Sequence, residues 1–371
     1  MKNRIAFVCI GQAAGNIGDL LAEKGYNVFA INTSKEDIST LRNVKHTYHI
    51  PGGLGCSKDR DVAKKMLATS YEQIVDQLRS YVTEDIIYFI FSAGGGTGSG
   101  FSPWFIDILV NDVFVEHDPD YPDEIIRTRT VGAVTILASE TESPRARENT
   151  YNCLGELSSI DGLCNIFLID NDGQGDLRTV NKIFVDLLDS VLTIPEKHKS
   201  REGNIDTSEI VKGFSTPGLS VIAKVGSKAN MSSILEKLRS NIFAELDRDP
   251  DSKTISFVLS STIKPLDYST IVAEFGQYVD EFHTFNQECN LVMLTGLPFP
   301  KARVNRIEEH LREDASRLST QNKNNSSTVL KSELNLLGGA VTRTVPRREP
   351  ESPENPKTSR RDELLARIRK R

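Results

Sequence analysis

Residues 86–100, IIYFIFSAGGGTGSG, constrain this chain more than any other stretch. The apolar run from Ile86 to Phe91 predicts a buried strand. It stops in Gly94, Gly95, Gly96, Thr97, Gly98, Ser99 and Gly100, and an apolar segment resumes at Phe101. A strand, a glycine-rich turn and a helix in that order suit an anion. The turn amides and the helix N-terminus point N–H donors and partial positive charge at it, and glycine has no Cβ to hold a phosphate away. Thr97 and Ser99 add hydroxyl donors. A flexible linker has a similar composition, but linkers seldom follow directly on a six-residue apolar strand. A P-loop would need a lysine in the pattern G-x-x-x-x-G-K-S/T, and no lysine follows Gly100. A dinucleotide-binding turn wants an acidic residue about 20 positions on. The early turn at Gly11 has Ile31-Asn32 there instead.

Other segments supply candidate partners for this loop. Arg4–Ile10 reads as a first, central parallel strand. It ends in Gly11-Gln12-Ala13-Ala14-Gly15-Asn16, ahead of an amphipathic helix from Ile17 to Lys24. A second strand, Tyr26–Ile31, ends in Asn32-Thr33-Ser34, all good helix caps. Gly52, Gly53 and Gly55 precede a helix from about Arg60 and read as a further phosphate-facing loop or as a surface turn. Trp104–Val115 reads as a helix and Val131–Leu137 as a strand, followed by a charged loop containing Glu140, Glu142 and Arg145. The strand Asn165–Asp170 ends in Asp170-Asn171-Asp172, and a helix follows from about Leu177 to Ile194. Asn204, Asp206 and Glu209 then fall at n, n+2 and n+5. That spacing serves an Asx turn capping a helix from Thr207, or carboxylates that orient a water. Strands follow at Leu219–Val225, Thr254–Ser261 and Asn290–Leu297, with helices near Ser232–Leu246, Ser269–Phe282 and Lys301–Leu318. The segment from Gln321 reads as a loose hinge.

The charge is unevenly spread. Residues 343–371 hold ten Lys/Arg and five Asp/Glu, a net +5. Of the chain's 45 basic and 51 acidic residues this leaves 35 and 46 before position 343, a net −11. Four prolines among those charges predict a disordered tail with its own partner. The last stretch, Arg360–Arg371, reads as a short basic helix formed on that partner. Five scattered cysteines form no C-x-x-C pair, so a disulfide framework or zinc site is not expected and a reducing cytoplasm is. No apolar run approaches the roughly 20 residues of a membrane span, so no membrane partner is expected.

GGGTGSG, I-D-N at 169–171 and N-x-D-x-x-E at 204–209 occur in the order of the tubulin/FtsZ family of GTPases, which the chain resembles over about residues 4–300. The resemblance implies an α/β fold: a parallel-sheet GTPase domain (1–176) joined by a long central helix (177–200) to a smaller α+β domain (201–319). A hinge and the basic tail (320–371) follow. It implies GTP and GDP as ligands, with Mg2+ held mainly by phosphates and water rather than by protein. Gly11, Gln12, Ala13, Asn16, Asn32, Gly55, Gly94, Gly95, Gly96, Thr97, Gly98 and Ser99 would surround the phosphates and ribose. Glu140 and Arg145 would reach ribose and phosphates. Asn171 would read guanine, whose edge suits an amide that donates and accepts at once. Asp189 would be a second guanine contact, with Phe184 or Val185 against the base unless these are core. Asn204, Asp206 and Glu209 would be catalytic, inserted into the next subunit's pocket.

Gln12 and the basic tail look more like the TubZ branch of the family, whose filaments segregate plasmid or phage DNA, than like its cell-division members. The expectation is head-to-tail self-assembly in the cytoplasm, GTP hydrolysis between subunits, and a tail that engages a DNA-bound adaptor protein and, through it, DNA. A cell-division filament is the nearer alternative, and a dinucleotide-dependent oxidoreductase the more distant one.

Overall fold

A computed structural model describes residues 1–117, 125–247 and 254–327, with side chains to 319. Residues 1–310 form one compact unit, and a second begins at Leu311. The first half alternates strand and helix: β1 (Ile5–Ile10), α1 (Gln12–Glu23), β2 (Asn27–Asn32), α2 (Lys35–Ser39), β3 (His46–His49), α3 (Arg60–Tyr81), β4 (Ile86–Ser92) and α4 (Thr97–Ile108). After a π-helical turn at Leu109–Val113 come the hairpin β5 (Val115–His117) and β6 (Ile125–Arg127), then β7 (Thr130–Leu137), α5 (Pro144–Ser158), β8 (Asn165–Asp170) and α6 (Leu177–Leu192). The second half contains α7 (Ile194–Lys197), α8 (Thr207–Ser215), β9 (Gly218–Gly226), α9 (Met231–Arg239), β10 (Thr254–Thr262), α10 (Tyr268–Phe275), β11 (Gln277–Phe285), β12 (Cys289–Leu297) and α11 (Lys301–Ser327).

Ten strands share one sheet in the order β11-β10-β12-β9-β8-β7-β4-β1-β2-β3. From β8 to β3 every pairing is parallel. Such strands are covered on both faces by crossover helices, so they read as unbroken apolar runs. Every residue of β1 and of β8 is buried. Ile10 pairs with both Ile31 and Phe91, which brings the carboxyl ends of β1, β2 and β4 level. Beyond β8 the sheet becomes mixed: β12 runs antiparallel to β9 and β10, and β11 is parallel to β10. The seam is narrow. Two residue pairs, Asn165 with Gly218 and Ile166 with Leu219, join β8 to β9. Farther along β8, Ile242 and Ala244 take over its edge through backbone hydrogen bonds with Asp170 and Leu168.

Several expected elements shift. α1 begins at Gln12 rather than Ile17, and α4 at Thr97 rather than Trp104, so both glycine loops run straight into helix. The helix expected over 232–246 ends at Arg239, because Ile242–Ala244 satisfy β8 instead. The helix expected over 269–282 stops at Phe275. Gly276 takes φ +100°, a conformation few side chains tolerate, and the chain turns into β11. The hinge expected from Gln321 is helical through Ser327, since extending an existing helix costs far less than starting one. The basic segment 343–371 lies outside the described residues.

Candidate functional site

A cleft of about 410 Å³ opens at the level carboxyl ends of β1, β2 and β4. That is within the range of small-molecule sites and at the edge where open parallel sheets bind ligands. Gly11, Gln12 and Ala13 line it from the first loop, Asn32, Thr33 and Ser34 from the end of β2, and Gly55, Cys56 and Ser57 from the third loop. Gly95, Gly96, Thr97 and Gly98 complete it from the signature.

The helix termini explain its chemistry. The first turn of a helix leaves N–H groups without intrahelical partners. Seven described helices answer this with a capping side chain, among them Ser34, Asp59, Ser143, Asp176 and Asp206. α1 and α4 do not. Their N-caps are Gly11 and Gly96, with no side-chain cap bond and no acidic residue in the first turn. Both N-termini open on the cleft, so unclaimed donors and the positive ends of two helix dipoles meet there.

The glycines divide by what surrounds them. A Cβ at Gly96 would come within 2.8 Å of Cys56 Cβ, and one at Gly98 within 2.9 Å of Ser92 O. These two let the loop fold against its neighbours. A Cβ at Gly95 would meet nothing within 4 Å, so this position keeps the cleft open. Gly11 (φ +88°) makes the turn from β1 into α1.

Side chains hold the walls in place. Thr33 Oγ1 lies 2.9 Å from Thr97 Oγ1, joining the end of β2 to the start of α4. His49 Nε2 sits 3.3 Å from Thr33 O and 3.1 Å from Gly53 O, which folds the third loop onto β2. Asn32 is engaged locally: its amide nitrogen donates to Asp37 and its oxygen accepts from Ser34 N. Two positioning residues escaped the sequence reading. Asn149, buried, donates to Gly94 O, Gly95 O and Lys58 O. Arg147 binds the carbonyls of Glu140 and Glu142. An amide or guanidinium one helical turn into α5 carries no motif of its own. The run Arg145-Ala-Arg147 was the available signal.

The remaining expected residues lie apart from the cleft lining. Gly94 and Ser99 are buried behind it, and Ser99 Oγ donates inward to Gly95 O rather than outward to a ligand. Asn16 is exposed on α1, beyond its first turn. Arg145 reaches Lys58 O and Glu148. Glu140 is held by Arg303, Arg306 and His310. Asn171 follows β8, three strands from β1 in the sheet order, which at about 4.8 Å per strand is roughly 14 Å. Asp189 is misplaced as a guanine contact. α6 starts beside the end of β8 and runs back across the sheet, so Asp189, in its last turn, reaches the edge where β2 begins. There it accepts from Tyr26 Oη at 2.9 Å and pairs with Lys24. Phe184 is core, fully buried with its ring against Phe167 and Phe243. Val185 is buried too.

The acidic group belongs to that opposite edge. Glu196, just beyond α6, pairs with the N-terminal amine of Met1 at 3.0 Å. At the far end of α8, Ser215 Oγ is 3.3 Å from Thr130 Oγ1 at the start of β7. Asp206 caps α8 and forms a reciprocal capping box with Glu209. Asn204 Oδ1 accepts from Ser200 N. The Ser208 hydroxyl and the Glu209 amide hold the Asp206 carboxyl below its ordinary pKa. Capping and catalytic placement are compatible here, because a carboxylate offers about four lone-pair sites. Among the described residues no cluster of three His, Cys, Asp or Glu is arranged to hold a metal ion.

Known proteins share this fold. Residues 4–174 match the Tubulin/FtsZ family, GTPase domain. The chain is 33% identical over 316 residues to the tubulin-like protein TubZ of Clostridium botulinum C phage, covering 83% of each. The crystal structure of Clostridium botulinum phage c-st TubZ superposes with a TM-score of 0.74 at 29% identity, over 85% of this chain and all of that one. GDP-form protofilaments of Bacillus thuringiensis serovar israelensis TubZ share the fold, with a TM-score of 0.68 at 18% identity over 87% and 94% of the two chains.

Proposed function

Because this chain belongs to the tubulin/FtsZ family of GTPases, we propose that it binds GTP in the glycine-lined cleft and assembles head to tail, hydrolysing GTP between subunits. The observation that carries this reading is the pair of uncapped helices, α1 and α4, whose free N–H donors meet at the carboxyl edge of the sheet. They suit the phosphates of a nucleotide. The acidic group at the opposite edge cannot reach its own cleft, but it can reach that of a second copy stacked in the same orientation. Phosphoryl transfer depends mainly on positioning and charge. Asp206 and Glu209, with Asn204, would orient a water in line with the terminal phosphate of the neighbour's nucleotide. Asp37 is the carboxylate lining the cleft, so a Mg2+ ion there would take most of its ligands from phosphates and water. The relative from Clostridium botulinum C phage and the protofilament structure support a filament of this kind. Its function would be segregation of plasmid or phage DNA, with the basic segment 343–371 engaging a DNA-bound adaptor. No described helix is long and apolar enough to cross a membrane.

The test is light scattering with GTP, GDP and a non-hydrolysable GTP analogue. GTP should produce a signal that decays as GDP accumulates. The analogue should produce one that persists, and GDP little or none. Equal assembly with all three, or none with any, would remove the reading.

A further inference from the structure

A buried arginine from the last helix ties together the loops that follow β7 and β8. Arg303, on α11, is 1% exposed and is among the largest fully buried side chains of the molecule. Its Nε donates to Asp170 Oδ2 at 2.6 Å and its Nη2 to Asp170 Oδ1 at 3.0 Å. Nη2 also reaches Ala138 O at 2.9 Å, and Nη1 lies 3.4 Å from Glu140 Oε1. Burial alone would lower the guanidinium pKa; the hydrogen bonds and charge of Asp170 outweigh it and raise it.

The contacts then close a ring. Asp170 Oδ1 accepts from Asp172 N at 3.0 Å. Asp172 Oδ1 accepts from Ser139 Oγ at 3.2 Å and from Glu140 N at 3.0 Å. The carboxylate of Glu140 returns to α11 through Arg306 and His310. Asn171 stands inside the ring. The residues on either side of it are pinned, and its backbone is bonded at both ends, to Leu137 O and from Gln174 N. Its side-chain amide has no hydrogen-bond partner among the described residues.

A buried ion pair adds little net stability over a well-packed apolar pair, and its best-attested use is to fix one geometry. We propose that Arg303 is a positioning residue for base recognition, holding the β7 and β8 loops so that the free amide of Asn171 is presented to the guanine edge. The proposal rests on the reading of the cleft as a GTP site and deepens it. It also makes α11 a reader of that site, since the arginine that sets the base contact sits on the helix leading to the C-terminal segment.

The test uses full-length chains and three probes: GTP, ATP and inorganic tripolyphosphate, which has no base. Each competes with a fluorescent GTP analogue. Arg303→Lys keeps the buried positive charge but loses the planar fork. It should weaken GTP roughly tenfold, about the cost of one hydrogen bond to the base, and narrow the GTP/ATP ratio toward that of Asn171→Ala. Tripolyphosphate should bind as in the wild type. The double variant Arg303→Lys/Asn171→Ala should discriminate no worse than Asn171→Ala alone, because both remove one function. Asp172→Ala, which opens the ring while leaving the Arg303–Asp170 fork in place, should move the ratio in the same direction. An unchanged GTP/ATP ratio in both Arg303→Lys and Asp172→Ala would overturn the proposal. So would equal losses for GTP and tripolyphosphate, which mark general loosening. A wild-type chain that does not prefer GTP over ATP would instead remove the GTP reading, and the proposal with it.

Discussion

The two edges of the sheet recognise by different means. Around the cleft between α1 and α4 the donors are backbone N–H groups and the side chains mostly hold the loops, with the Asn171 amide proposed as the exception. At the amino edge the groups on offer are the carboxylates of Asp206 and Glu209, fixed by a capping box on α8. A backbone site is written in the sequence as glycine and is broken by adding atoms. A side-chain site is written as Asn, Asp and Glu and is broken by removing charge. The first edge should therefore control whether nucleotide binds, and the second how fast it is consumed.

The largest expected effect tests the amino edge. Asp206→Asn preserves the cap, since Asn and Asp cap equally well, but removes the carboxylate. Hydrolysis should fall about 10²–10⁴-fold, while GTP affinity and thermal midpoint stay level and filaments persist. Phosphate release, sedimentation and a thermal melt would check this. Monomers that hydrolyse as fast per chain as filaments would erase the distinction between the edges. Because the folded pKa of Asp206 is depressed, its ionised form and the stability it contributes persist above the ordinary carboxylate value and are lost only as pH falls through the lower folded one. The pH profile of hydrolysis should then show no titration of Asp206 at or above the ordinary carboxylate range.

Gly95→Val tests the carboxyl edge. Its side chain meets no protein atom at Cβ but stands in the cleft, so GTP affinity should drop roughly ten- to a hundredfold through lost amide–phosphate bonds, with the fold intact. Gly98→Val should instead impair folding, since its Cβ meets Ser92 backbone. Asn171→Ala should cost a comparable amount, about 1–3 kcal/mol, seen as a narrower GTP/ATP preference in competition binding. The smallest effect on assembly should come from deleting 343–371. Light scattering with GTP should be unchanged, while pull-down of the DNA-bound adaptor is lost. Loss of polymerisation would bring the tail into one of the two edges.

Legibility follows the same division. β1, β4 and β8 fall within one residue of their expected bounds because strands covered on both faces must be apolar throughout. β11 was hidden because a half-exposed edge strand reads as the continuation of α10 unless Gly276 is taken as the stop. The glycines of the cleft were legible because a backbone requirement fixes residue identity locally. Arg303 was not, since its partner Asp170 is 133 positions away and only the folded chain joins them. Asp189, expected as a guanine contact, lies in the last turn of α6 against Tyr26 and Lys24, a placement that only the course of the folded helix reveals.

The seam between the two halves has a mechanical consequence. Two parts of a sheet are held against relative rotation only where they are bonded, and here two ladder pairs connect β8 to β9 before the strands part. Rotation of one half against the other would concentrate at that joint rather than spread through the parallel sheet. The fork from Arg303 to Asp170 spans the same joint from α11. Rotation between the halves and the set of the loops after β7 and β8 would then be two readings of one elastic coordinate.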